Sequence, residues 1–205
     1  MWTLDLVLCL LALGVALWFR PWQMLRDKDL HHPWLAVLVL LPWLWSVQSL
    51  LPIGLPLQLS AACLLVLMFG WPLAVLTVLI VAPIGAWLGG SPPDQAVTLA
   101  AWNGVVPATL ALALGVAVRR WLPHHIFVFI LGRGFIVTAL SMSLAGWGAT
   151  VLHTLPVGTD TLTLMMGHWL MGWGEAFSTG MLTAIFVAFR PQWLVTWSDA
   201  RYLGS

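Results

Sequence analysis

The stretch LQLSAACLLVLMFGWPLAVLTVLIVAPIGAWLGG, residues 57–90, contains no charged side chain. A run this long and this uniformly apolar does not alternate as a barrel strand must, and it exceeds the roughly 20 residues of one helical crossing of a bilayer. It therefore reads as two short helices. Gly70 and Pro72 stand at its centre. Pro72 removes a backbone donor and Gly70 relaxes the turn, so a tight helix–turn–helix is favoured over a single kinked rod.

The rest of the chain repeats the pattern. Of its 205 residues, 61% are hydrophobic and 7% charged, against roughly 25% charged in soluble domains. Such a composition cannot cover a globule with polar surface, so the outside must meet lipid. Apolar spans fall at roughly 2–19, 34–52, 56–70, 72–89, 96–118, 126–151 and 161–189. The expected fold is all-α: a single transmembrane domain over 1–205, a polytopic bundle of about seven helices. The N-terminus has no basic region before its apolar run and no small-residue cleavage site, which reads as a retained first span. A net charge of +1 and the lack of any nucleic-acid module argue against nucleic-acid binding. Cys9 and Cys63 sit inside apolar segments and read as packing residues.

The basic residues supply an orientation. Arg20, Arg26 and Lys28 follow the first span, Arg119 and Arg120 the fifth, and Arg190 and Arg201 the seventh. The opposite connections, around 53–55, GGSPPDQ and HTLPVGTD, have neither Lys nor Arg. The positive-inside rule then makes the basic side cytoplasmic, with the N-terminus outside and the C-terminus inside. Fusing spans 3 and 4 would place the Arg119–Arg120 pair on the wrong side. Trp22, Trp34, Trp71, Trp121 and Trp193 lie near span ends, as an interfacial belt.

Polar residues within the spans mark sites, because an ionisable group at mid-bilayer costs about 2.5–3.5 kcal/mol even on insertion scales. They are Asp5, Gln58, Asn103, Arg133, His168 and Glu175. Asp5 reads as an outer interfacial carboxylate or a helix cap. Gln58 and Asn103 read either as cavity lining or as interhelical hydrogen-bonding groups. Met165, His168, Gly172, Glu175 and Thr179 share one helical face, expected to form a funnel wall that narrows toward Glu175. In that reading Gln58, Asn103, His168 and Glu175 bind substrate. For a divalent cation, His168 would supply nitrogen and Glu175 negative charge. Arg133 has two readings, snorkelling to the cytoplasmic face or forming a structural ion pair with Glu175. The pairs His31–His32 and His124–His125 are expected to be solvated in cytoplasmic loops.

Three stretches carry a family resemblance: LMFGWPLAVL (67–76), AWNGVVPATLALALGVAV (101–118) and GEAFSTGMLTAIFVAFRPQWLVTWSDARYL (174–203), joined by HHIFVFILGRGF (124–135). The chain resembles the CbiM/NikM-like energy-coupling factor ABC transporter permease family in its shorter proteobacterial form, over roughly 56–203. The resemblance implies a seven-helix substrate-binding membrane component with an external N-terminus. Its cargo would be cobalt, nickel or a related divalent cation, with no permanently bound cofactor. Partners would be a coupling transmembrane subunit and ATPase subunits, and this chain has no GxxxxGK[ST] phosphate loop of its own. The matching positions are Asn103, Gly104, Glu175, Gly180 and Met181. The chain departs from the family pattern in beginning Met1–Trp2 rather than Met-His. It also has Gln58 where relatives carry His, and Arg133 where Asn is common. An alternative is a non-transporting anchor or assembly subunit of the same fold that has lost the metal site. No HExxH, GxSxG or paired-aspartate arrangement points to an enzyme.

Overall fold

A computed structural model describes residues 2–26, 28–50, 59–153 and 160–202. It is a helical bundle, with no strand among the described residues. The helices are α1 (Trp2–Trp18), α2 (Lys28–Leu50), α3 (Ala62–Leu88), α4 (Pro93–Leu99), α5 (Val106–Trp121), α6 (Val137–Leu152), α7 (Thr161–Phe189) and a terminal turn α8 (Asp199–Tyr202). A π-helical segment, Ala100–Val105, joins α4 to α5, and another, Val128–Ile136, leads into α6. Four helical stretches are long and apolar enough to cross a membrane: Asp29–Val47, Ala62–Leu88, Pro93–Trp121 and Val128–Leu152. Large apolar side chains such as Leu11, Val39, Leu131 and Leu170 point outward, as a lipid phase would require.

The central element is α3, whose side chains from Ala62 to Ala86 are mostly buried. It is not one rod. Gly70 has φ 74 and ψ 163, outside any helical region. Position 63 lies against Pro107, with the Cys63 Sγ 3.9 Å from its carbonyl. Position 78 lies against Gly104, where an added Cβ would sit 2.9 Å from Val78. Fifteen residues of straight helix would hold positions 63 and 78 about 22 Å apart, yet both meet one turn of the same neighbouring segment. The chain therefore doubles back at Gly70. Trp71, expected in an interfacial belt, is instead buried beside this turn and donates to Thr109 Oγ1 at 3.0 Å. Trp22 and Trp121 are exposed.

Breaking a helix leaves its last carbonyls without partners. Those of Leu67 and Met68 are met by the C-terminal segment: Val195 N–H donates to Met68 O at 3.0 Å, and the Thr196 hydroxyl donates to Leu67 O at 2.8 Å. Around this junction Phe129, Trp197 and Tyr202 stack into one aromatic group. At the opposite end of the hairpin, Gly85 lets α2 approach, since a Cβ there would meet Pro42 O at 3.2 Å and Trp45 Cβ at 3.1 Å. Helix α2 begins at Lys28, six residues before the expected start, so the exposed His31 and His32 stand in its first turns rather than in a loop. His124 and His125 are exposed in the α5–α6 connection.

Two backbone positions test this account by thermal unfolding in detergent. Gly70→Ala places a side chain in a glycine-only region and lowers stability by roughly 1–3 kcal/mol. Ala61, just before α3, has φ 58 and ψ 0; Ala61→Gly relieves that left-handed strain and raises stability by roughly 0.5–1 kcal/mol.

Candidate functional site

The start of α3 lies inside the bundle, so its free N–H groups need acceptors there rather than water. Ser60 organises them. Its N–H donates to Glu175 Oε2 at 2.7 Å, and its hydroxyl oxygen accepts from Ala62 N–H at 3.0 Å. The same hydroxyl donates to the Asn103 carbonyl, and the Ser60 carbonyl accepts from the Trp45 indole at 3.1 Å. The Ala61 N–H also faces Glu175. One residue thus ties together α2, α3, the first π segment and α7. Glu175 is 2% exposed. Its carboxylate occupies a helix N-terminus, where the macrodipole and converging N–H groups favour negative charge. Its other oxygen, Oε1, and the side-chain nitrogen of Asn103 are buried without a hydrogen-bond partner.

Beside this junction is a cavity of about 320 Å³, lined by Thr98, Trp102, Asn103, Met142, His168 and Met171 among others. Asp94 and Gln95, both exposed, stand at its edge. Helices α6 and α7 close one side through two glycines. A Cβ on Gly146 would overlap the His168 ring, and one on Gly172 would collide with Ser143 Oγ and the Ala139 carbonyl.

The opposite wall is held by a second buried carboxylate. Asp5 is fully buried. It accepts from Thr98 Oγ1 at 2.7 Å, from Trp102 Nε1 at 2.8 Å and from His153 Nε2 at 2.9 Å. The other ring nitrogen of His153 faces Ala149 O at 3.1 Å. Trp102 also packs edge-on against His153 and closely over Gly148. Asp5 is therefore a buried acceptor of side-chain donors rather than a cap. It draws α1, α4, the π segment and the end of α6 together.

Of the residues expected to bind substrate, Asn103 and His168 line the cavity. Glu175 is buried on the same face of α7, two turns or about 10 Å along the axis from His168, and does not belong to that lining. Gln58 lies outside the described residues. The funnel-wall stripe does face inward, with Gly172, Glu175 and Thr179 buried and Met165 and His168 partly so. No group of three or more His, Cys, Asp or Glu gathers among the described residues, and nothing brings His168 and Glu175 onto one point.

The expected ion pair between Arg133 and Glu175 is not formed. The guanidinium lies 5.2 Å from the Phe129 ring centroid and 3.5 Å from Thr196 O, beside Gly115. It points to the end of the bundle where the C-terminal segment docks, while Glu175 is engaged at the α3 N-terminus. His153 Nε2 and Asp5 Oδ2 lie 2.9 Å apart. Ser60, Thr98, Trp102 and His153 were not singled out from the sequence. Ser60 and Thr98 are ordinary polar residues there, and Asp5 meets His153 from 148 positions away. No protein-family model matches the chain, and neither a curated protein nor a solved structure does.

Both carboxylates yield stability predictions, measured as thermal midpoints by tryptophan fluorescence. Glu175→Gln keeps an acceptor for Ser60 N–H and costs about 1 kcal/mol through the lost charge. Glu175→Ala leaves that donor buried and unpaired, costing roughly 1.5–3 kcal/mol. Asp5→Ala strips three donors at once and costs about 3 kcal/mol, the low end for a broken buried pair, because His153 retains some solvent screening. A Glu175→Ala variant as stable as the parent would remove the carboxylate from any role in holding α3.

Proposed function

We propose that the chain is the substrate-binding membrane component of an energy-coupling-factor-type ABC importer in the bacterial inner membrane. The observation that carries this reading is the cavity of about 320 Å³ between α4, the first π segment, α6 and α7, with Asn103 and His168 on its lining. Counting the two halves of α3 separately gives seven crossings, with the N-terminus outside and the C-terminus cytoplasmic. Seven of the eight Lys and Arg residues then fall on the cytoplasmic side. The cavity would open outward, and the cargo is a transition-metal cation, cobalt or nickel by the resemblance. Energy would come from a coupling transmembrane subunit and ATPase subunits. The protein itself is not an enzyme in this reading.

One observation favours a second reading, a non-transporting anchor or assembly subunit of the same fold. Glu175, the most deeply placed of the expected cation ligands, is engaged at a helix terminus. Cellular accumulation of cobalt, nickel and copper separates the two, with the chain expressed together with coupling and ATPase subunits. Import predicts energy-dependent accumulation that falls at least tenfold in His168→Ala and Asn103→Ala at equal membrane abundance. Accumulation untouched by both substitutions, with the partner subunits still assembling, assigns the chain to the anchor reading.

A further inference from the structure

We infer that the cavity is built for a soft monovalent cation, Cu(I), held by the imidazole of His168 and the thioethers of Met142 and Met171. This rests on the import reading and gives the same site a different cargo from the cobalt or nickel that the resemblance implies.

The helix register brings the three donors to one wall. His168 and Met171 are three residues apart on α7 and so share a face. On α6, Gly146 abuts the His168 ring, and Ser143 abuts Gly172. The two helices thus run past each other with Met142 one turn from Gly146, at the level where α7 presents Met171. All three side chains border the same cavity.

Charge decides the valence. Of the two carboxylates buried among the described residues, Glu175 is not on the lining and holds the α3 N-terminus. Asp5 is saturated by Thr98, Trp102 and His153. Among the described residues, the carboxylate bordering the cavity is Asp94, which is exposed at its edge. A cation seated beside His168 is therefore held by neutral donors. Taking an ion out of water costs free energy that scales with the square of its charge, so a divalent ion is penalised about fourfold more than a monovalent one of similar size. Softness points the same way, since thioethers select Cu(I), whereas divalent first-row ions need imidazole clusters or hard oxygen anions. Asp94 at the edge would raise the local concentration of any cation without distinguishing among them.

The test is equilibrium binding to the full-length protein in detergent, in a Cys9→Ala/Cys63→Ala background so that thiols do not compete. The probes are Cu(I), held reduced with ascorbate and competed with a Cu(I) chelator, redox-inert Ag(I), and Co(II) and Ni(II) in parallel. One Cu(I) or Ag(I) per chain is expected, with affinity falling at least tenfold in Met142→Leu/Met171→Leu. Leucine keeps the volume and removes the sulfur. The single substitutions Met142→Leu and Met171→Leu are read in the same way should the pair not fold. Cu(I) and Ag(I) binding unchanged by these substitutions overturns the inference. Binding of Co(II) or Ni(II) that depends on His168, with none of Cu(I), overturns it and leaves the import reading standing. Failure of all four ions to bind the folded protein overturns both.

Discussion

A carboxylate at a buried helix start is the interaction on which the bundle turns. The first half of α3 begins inside the protein, where water cannot satisfy its N–H groups. Glu175 reaches it from α7 and accepts from Ser60 N–H, while Ser60 spends its remaining polar atoms on Ala62, Asn103 and Trp45. Without that acceptor the short helix would carry unpaired donors in a medium where each costs several kcal/mol. With it, the short first half of α3 is held inside the bundle.

The far end of the same half-helix has the complementary difficulty. Its carbonyls are orphaned by the break at Gly70, and the C-terminal segment supplies donors from Val195 and Thr196. Residues 62–69 are thus clasped at both ends by parts of the chain more than 100 positions away. The cavity lies to one side of these junctions. Its lining includes Asn103 and His168, whereas Glu175 lies beyond it with the α3 terminus. A funnel reaching down to Glu175 is therefore replaced by a cavity beside it.

What the sequence made legible follows period and punctuation. The reversal at Gly70 was readable from Gly70 and Pro72 within an unbroken apolar run, and α7 begins and ends where the apolar pattern does, at Thr161 and Phe189. The inward face of α7 was readable from spacings of three and four. Partners were not. Asp5 sits in the first turn of α1, where a cap or interfacial residue is the local expectation, yet Thr98, Trp102 and His153 converge on it from distant positions. Arg133 was compatible with two directions along its helix, and only the docked C-terminal segment decides between them. Trp71 carried the same local signal as an interfacial tryptophan, but the hairpin draws it inward onto Thr109. Neither π segment has a sequence signature, although Asn103 lies in one and Arg133 in the other.

Asp5 and Glu175, the acids buried among the described residues, also explain why the basic residues are so cleanly sorted. A carboxylate in a low-dielectric interior is ordinarily matched by Lys or Arg, which would scatter cations through the spans. Asp5 is matched by a histidine, a hydroxyl and an indole N–H, and Glu175 by a helix terminus. Neither draws on a permanently charged base. Arg133 is the exception within a span, and it turns toward the docked C-terminal segment, where Thr196 O and the Phe129 ring receive it. The remaining Lys and Arg residues lie in the connections and at the helix ends. Interior acids satisfied by neutral donors and a histidine are thus what allow a chain with 7% charged residues to keep its basic residues at the bundle's ends.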